Sequence, residues 1–327
     1  MNKRFDRRLS IAPMMDHTDR HFRYFMRLLS KHAVLYTEMI TTGALIHGDR
    51  KRFLKFNSIE HPLAIQLGGN DPEALAECAH IAESEGYDEI NLNIGCPSDR
   101  VQNGQFGACL MSNAVLVAEC VTTIKNKVNI PVSIKTRIGI DDQDDYEFLS
   151  NFISTTLAAG CDFFIIHARK AILSGLSPKE NREIPPLHYD RVYQIKQDFP
   201  SLNISINGGI TELNEAKQHL QHVDGIMIGR ASYQNPYFIA ELDKAIFETE
   251  HSIPSRLEIL EQYKAYIAEQ LAQGEHLKNM TRHVIGLYQG QAGARKFRRM
   301  LSEAIPEKDK NSTHIMEKAI KLVSNSP

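Results

Sequence analysis

The chain lacks a Gly-x-Gly-x-x-Gly turn, a Cys-x-x-Cys pair, a His-Glu-x-x-His helix and any apolar run of the ~18 residues that a membrane crossing needs. The first absence argues against a Rossmann-type dinucleotide fold, and the last against a membrane span. His17 and His21 stand four apart, but with no glutamate between them and no third ligand in evidence, no metal site is expected. Cysteine is sparse. Cys78, Cys96, Cys109, Cys120 and Cys161 are odd in number, and no apolar signal segment opens the sequence. Free thiols in a reducing, cytoplasmic setting are therefore expected. Excess charge of one sign is missing too: 38 Lys and Arg face 40 Asp and Glu, a net charge of −2. That excludes a protein that coats nucleic acid through bulk charge and leaves room for a local basic patch.

What is present is a core. The 327 residues are 42% hydrophobic and 24% charged, enough to bury a large interior without disulfides. Eight short apolar runs recur, each followed by a helix-like stretch: Leu9–Met14, Val34–Glu38, Leu63–Leu67, Glu89–Ile94, Val132–Thr136, Phe163–His167, Asn203–Asn207 and Gly225–Ile228. Most read as parallel strands buried on both faces. Phe22, Phe25, Met26 and Leu29 mark the first helix behind Thr18 and Asp19, either of which can cap it. Eight β-α alternations predict an α/β fold, a (β/α)8 TIM barrel.

From about Ala245 the strand-like runs stop. Ser255-Arg256-Leu257-Glu258 has the form of a capping box, followed by Leu260, Tyr263, Ile267 and Leu271 at helical spacing. Further helices are predicted over Leu277–Tyr288, Ala294–Glu303 and roughly Ser312–Val323. The division expected is a barrel catalytic domain over 1–244 and a small helical bundle domain over 245–327.

Active sites of such barrels lie at the C-terminal strand ends. Here these ends carry Pro13-Met14-Met15, Gln66, Asn91 and Asn93, Lys135 and Arg137, His167 and Arg169, Asn207-Gly208-Gly209, and Gly229-Arg230. Glycines after strands 7 and 8 either make tight turns or let backbone N–H groups approach a phosphate, with Arg230 adding charge. Lys135, on a buried strand, needs an anion, which is either a barrel carboxylate or a ligand such as a reduced flavin. Gln66 can bond a flavin's carbonyl edge or a neighbouring loop. Cys96 sits in Gly95-Cys96-Pro97, where strand 4 turns into a loop. A thiol that keeps its proton can act as an acid, a different task from a nucleophilic thiolate. The other cysteines read as small core residues. Arg20 can be structural or face the mouth. The polar loop Ser174–Pro186, with Lys179 and Arg182, is either a substrate contact or a solvated loop.

These residues resemble the tRNA-dihydrouridine synthase family along nearly the whole chain. The likeness rests on Ala12-Pro13-Met14-Met15, Thr18-Asp19-Arg20, Leu35-Tyr36-Thr37-Glu38-Met39, Gln66-Leu67 and Asn91-Leu92-Asn93-Ile94-Gly95-Cys96-Pro97. It continues through Gly107-Ala108, Lys135-Thr136-Arg137, His167-Ala168-Arg169, Asn207-Gly208-Gly209 and Gly229-Arg230. The Asn-x-Asn-x-Gly-Cys-Pro element is specific to the family, whereas other flavin barrels share the paired glycines. Tyr36-Thr37-Glu38-Met39 and Lys179–Leu187 resemble the A subfamily, which acts at uridines 20 and 20a of the D-loop.

The resemblance implies FMN held by Pro13, Met14, Met15, Gln66, Lys135, His167, Asn207, Gly208, Gly209, Gly229 and Arg230, with NADPH as reductant. It implies Cys96 as general acid, and tRNA contacts from Asn93, Lys179, Arg182, Arg295 and Arg298. The target base must leave its stack to reach a barrel mouth. The expected partner is tRNA, and no stable protein partner is implied. A flavin barrel reducing a free pyrimidine, as dihydroorotate dehydrogenases do, would have no use for the Arg295–Arg299 cluster. A non-catalytic tRNA-binding barrel would have none for Lys135 and Cys96.

Overall fold

A computed structural model describes residues 5–161, 163–248, 252–303 and 312–324. Eight parallel strands stand where eight were expected: β1 Leu9–Ile11, β2 Leu35–Thr41, β3 Leu63–Gly68, β4 Glu89–Ile94, β5 Val132–Arg137, β6 Phe163–His167, β7 Asn203–Asn207 and β8 Gly225–Ile228. Each pairs with its sequence neighbour from β2 to β8, and β1 pairs with β8. The ring closes where Ser10 bridges Val34, through Ile11 N–H to Val34 O at 2.9 Å and Val34 N–H to Leu9 O at 3.0 Å. β1 is shorter than expected. Proline has no N–H to give a ladder, and past Pro13 the chain turns back, Thr18 N–H closing on Met14 O at 2.9 Å.

Alternation separates two interiors. Outward residues of the strands pack under the surrounding helices in the main core. Inward residues Val34, Tyr36, Ala64, Phe163, Ile165 and Met227 form a second cluster inside the barrel. Polar side chains above and beside this plug mark the mouth.

The helix Arg20–Leu29 joins the barrel to the C-terminal region. Asp19 caps it, accepting from His21 and Phe22 N–H. Its His21, Phe22, Phe25, Met26 and Leu29 are buried. Arg20 settles as structural: it donates to Gln270 at 2.5 Å and pairs with Glu275 at 2.5 Å. Nδ1 of His21 bonds the Tyr266 hydroxyl at 2.8 Å, and Tyr24 stacks on Tyr266 with ring centroids 3.8 Å apart. Helix Arg256–Ala272, which supplies Tyr263 and Tyr266, starts from the Ser255–Glu258 capping box read from sequence.

The helix expected over Leu277–Tyr288 stops at Thr281 and continues as successive turns. His283 is tied to Asp19, and a Cβ at Gly286 would stand 2.8 Å from the carbonyl oxygens of Tyr233 and Gln234. The backbone is pressed against the barrel there, and docking overrides the helical pattern. Helices Ala294–Ser302 and His314–Ser324 follow and pack on one another. The helix Tyr237–Phe247 runs through residue 245 and covers β1, so the last barrel helix ends at Phe247. No helix of the described residues is long and apolar enough to cross a membrane.

Candidate active site at the barrel mouth

β4 and β5 bring most of the chemistry. Register pairs Asn93 with Lys135 and Asn91 with Ser133, while Gln66 of β3 lies opposite Asn91. These inward positions recur every second residue, so each strand stacks its polar groups at successive heights.

Lys135 reaches the centre of the mouth, where Nζ donates to Oδ1 of Asn207 at 3.1 Å. Among the described residues it pairs with no carboxylate, which removes the barrel salt bridge as its explanation. Burial and the neighbouring Arg137 push its ammonium down to about 7. Asn207 is held in turn, its Nδ2 donating to Met227 O at 2.7 Å. Burial, followed by Arg137 and Lys135, holds His167 well below the ordinary imidazole range, so it stands neutral.

Gly208 and Gly209 follow β7 with φ of 119° and 75°, a region side chains rarely adopt. A Cβ at Gly208 would meet Cδ2 of His167 at 2.7 Å, and one at Gly209 would meet the Tyr189 hydroxyl at 2.7 Å. That hydroxyl bonds Gly208 O at 2.8 Å and fixes the turn. The N–H groups of Gly209 and Gly229 donate to no internal acceptor among the described residues. Arg230 pairs with Glu183 at 2.6 Å, both side chains nearly half exposed. On the adjoining strand end, after β1, Met14 packs toward the barrel plug, Pro13 is half-buried, and Met15 is 52% exposed.

Cys96 is half-buried, its Sγ 3.4 Å from the Ser98 hydroxyl. Its loop is fixed from three directions. Oδ1 of Asn93 accepts Gly95 N–H at 3.1 Å and Cys96 N–H at 2.9 Å. Arg137 donates to Gly95 O at 2.9 Å, and Ala108 N–H donates to Cys96 O at 2.9 Å. A Cβ at Gly107 would stand 2.6 Å from Cys96 O, so glycine is required there. The side chain of Asn93 is thus engaged with this turn and with Gln66, whose Oε1 accepts its Nδ2 at 2.8 Å.

Arg137 does more than its strand position suggested. It also donates to Lys170 O at 2.9 Å and Asn181 O at 3.1 Å, tying the thiol's loop to the long segment after β6. Burial lowers its guanidinium to about 10. On that segment Lys179 and Arg182 are exposed. Arg295 and Arg298 are exposed on helix Ala294–Ser302, where Arg298 bonds Gln289 at 2.6 Å, while Phe297 and Leu301 are buried beneath. The structure therefore gathers Gln66, Asn93, Cys96, Lys135, His167 and Asn207–Gly209 into one site. Lys179, Arg182 and Arg230 belong to segments at its rim. No hydrogen bond or ion pair among the described residues joins Arg295 or Arg298 to the mouth.

Three contributors were missed in sequence: Glu89, Ser133 and the Asp19–Arg282–His283 junction. The first two carried a signal, because polar residues alternating within buried strands, Glu89-Asn91-Asn93 and Ser133-Lys135-Arg137, must all face the interior. The junction pairs residues more than 260 positions apart and left no local pattern.

A half-buried lysine with no carboxylate partner, beside glycines whose N–H groups find no acceptor among the described residues, makes this (β/α)8 mouth a site suited to an anionic ligand. Such a site suits one class of enzyme on this barrel, the flavin-dependent oxidoreductases. Comparison specifies the family: the profile described as dihydrouridine synthase (Dus) matches residues 10–324, and the chain belongs to that family. The chain is 61% identical over 302 residues to the tRNA-dihydrouridine(20/20a) synthase of Shewanella oneidensis, covering 92% of this chain and 90% of that one. It is 59% identical over 319 residues to that of Escherichia coli K12, covering 97% and 92%. With that of Vibrio cholerae it shares 62% identity over 297 residues, 90% of each chain. A solved 2-naphthoyl-CoA reductase in complex with 2-naphthoyl-CoA superposes with a TM-score of 0.58 at 12% identity. That match covers 75% of this chain and 51% of the other, a likeness of fold alone.

Proposed function

We propose that the chain reduces uridines 20 and 20a of the tRNA D-loop to 5,6-dihydrouridine, a reading supported by relatives named tRNA-dihydrouridine(20/20a) synthase. The cofactor is FMN, the reductant NADPH and the compartment the cytoplasm. The observation that carries the reading is Lys135, a half-buried amine in the mouth that bonds Asn207 and, among the described residues, pairs with no carboxylate. It fits the electron-rich edge of a flavin, and its charge favours the reduced, anionic form. Gln66 and Asn207 stand on either side of it in the strand order, with His167, Pro13, Met14 and Met15 completing the cradle. Among the described residues Gly209 and Gly229 have N–H groups with no internal acceptor to offer the phosphate, and Gly208 completes the left-handed turn that presents them. Arg230 reaches the same phosphate by giving up Glu183, an exposed pair of little net worth.

When bound and reduced by NADPH, FMN would supply the hydride that C6 of the uracil ring takes up. Cys96 gives its proton to C5, completing the addition of two hydrogens across the double bond. Asn93 and Arg137 hold the loop that aims this thiol. Lys179 and Arg182 at the rim, with Arg295 and Arg298 of the helical domain 245–327, hold tRNA phosphates, and Asn93 borders the flipped base.

The test is direct. The purified protein should carry a flavin that NADPH reduces anaerobically, and D-loop-containing tRNA should reoxidise it while orotate and free uridine do not. A colourless protein, or reoxidation by the free pyrimidine alone, refutes the assignment.

A further inference from the structure

Inside the barrel runs a chain of polar side chains whose lower members, Glu89, Ser133 and Asn91, have no part in the reaction described above. It begins at Glu89, wholly buried at the start of β4 and ion-paired with Arg7. Oε1 of Glu89 accepts the hydroxyls of Tyr36, at 3.0 Å, and of Ser133. Oγ of Ser133 accepts Nδ2 of Asn91 at 2.7 Å, and Oδ1 of Asn91 accepts Nε2 of Gln66 at 2.7 Å. Oε1 of Gln66 accepts Nδ2 of Asn93 at 2.8 Å, and Oδ1 of Asn93 accepts the N–H groups of Gly95 and Cys96. Every donor points toward Glu89.

The direction is forced from both ends. A carboxylate paired with arginine only accepts, so Ser133 spends its one O–H on Glu89 and must accept a hydrogen bond from Asn91. Its other acceptor, Ile90 O, lies at 3.5 Å, too far to compete. The amino group of Asn91 therefore faces Ser133 and its carbonyl faces Gln66, which must donate, and the same logic orders Asn93. From the upper end, backbone N–H groups can only donate, so the carbonyl of Asn93 must face them. The two ends demand the same arrangement of all three amides. Turning any one about its axis sets donor against donor on one side and acceptor against acceptor on the other. Links of this kind also polarise one another in a low-dielectric interior.

We propose that Glu89, acting through Ser133 and Asn91, is a positioning residue for Gln66, Asn93 and the Cys96 turn: it fixes which face of the Gln66 amide is offered to the cofactor and where the thiol sits. The role given to Cys96 rests on the dihydrouridine synthase reading; the chain itself rests on geometry.

Flavin-free protein tests it without turnover. Ser133→Ala removes a middle link and leaves the Glu89–Arg7 pair intact. Loss of one net hydrogen bond should speed exchange of the Cys96 backbone amide by about five-fold and shift the side-chain amide resonances of Gln66 and Asn93. Asn91→Leu, which cuts the chain elsewhere at similar volume, should give the same distant changes, and Ser133→Thr, which keeps the hydroxyl, should restore them. Changes confined to the immediate neighbours of the substituted residue in both Ser133→Ala and Asn91→Leu overturn the proposal. In loaded enzyme, Ser133→Ala should lower kcat for tRNA and leave KM for tRNA unchanged, and wild-type kcat overturns the positioning of Cys96. A wild type that shows no tRNA-dependent turnover defeats the functional reading instead, and the amide measurements still decide the chain.

Discussion

The barrel mouth and the basic helix Ala294–Ser302 both carry clustered cations, and they hold them in opposite ways. In the mouth Lys135 is half-buried and Arg137 buried, they are fixed by Asn207, Gly95, Lys170 and Asn181, and loss of hydration pulls both below their ordinary pKa. On the helix Arg295, Arg298 and Arg299 are exposed, and Arg299 satisfies itself locally with Glu303 at 2.6 Å. A buried cation costs free energy until an anion arrives, so it selects one ligand at one place. An exposed one stays solvated and attracts any phosphate within about a Debye length, ~8 Å at physiological salt. Chemistry belongs to the first arrangement and capture of a polyanion to the second.

Cys96→Ala presses hardest on this contrast. Loss of a positioned general acid should slow tRNA-dependent flavin reoxidation by about 10²–10⁴-fold, while reduction by NADPH proceeds as in wild type. Stopped-flow measurement of the two half-reactions checks it, and an unchanged second half-reaction removes Cys96 from catalysis.

Lys135→Met should weaken flavin retention by roughly ten- to a hundred-fold, as expected for a hydrogen bond to a charged group. Its pH dependence is more telling. With the free lysine at about 7, an anion binds the protonated form and raises its pKa. Affinity should therefore fall as pH rises above 7 in wild type, and this dependence should vanish in Lys135→Met. Titration of flavin-free protein between pH 6 and 9, conditions chosen to bracket that value, reads the difference; identical profiles would return Lys135 to a structural role.

Between the two regions lies the junction. Asp19 accepts Arg282 at 2.5 Å and His283 at 2.9 Å while capping the barrel helix. The bond to His283 and the nearby Arg282, opposing the cost of burial, leave its carboxyl well below the usual range. A depressed carboxylate stabilises the fold at neutral pH, and that contribution disappears only as pH falls below the unfolded value toward the folded one. Asp19→Asn should cost about 2–3 kcal/mol at neutral pH, less than a fully buried pair because Asp19 is partly exposed. Urea unfolding at pH 7 and pH 3 measures it, and an equal loss at both values would show that the charge is not the cause.

The smallest effect belongs to the exposed helix. Arg295→Ala with Arg298→Ala should weaken tRNA binding and flatten its logarithmic salt dependence by up to about two units, near 0.9 per phosphate contact and somewhat less on single strands. Flavin reduction should not change. An unaltered slope would place the RNA surface elsewhere and break the comparison.

Much of this was legible in sequence for a local reason. Strand positions follow from short apolar runs, and all eight were found because parallel strands buried on both faces have little else to be made of. Asn93, Lys135 and His167 could be placed at the mouth from sequence because they stand at the C-terminal ends of such strands. Helix Leu277–Thr281 came out too long because its continuation is set by Asp19 and by the backbone of Tyr233 and Gln234, contacts invisible to periodicity.

By itself, then, the sequence determined the eight-fold alternation, the Ser255–Glu258 capping box and the set of polar strand ends, all of which depend on residues within a few positions of one another. Tertiary structure alone decided that Lys135 finds Asn207 and no carboxylate, that Arg20 is spent on Glu275, and that Glu89 orders a line of amides reaching Cys96. Those outcomes depend on barrel closure. Which side chains meet across the interior is set by register between strands, and a shift of one residue would turn every one of them to the other face.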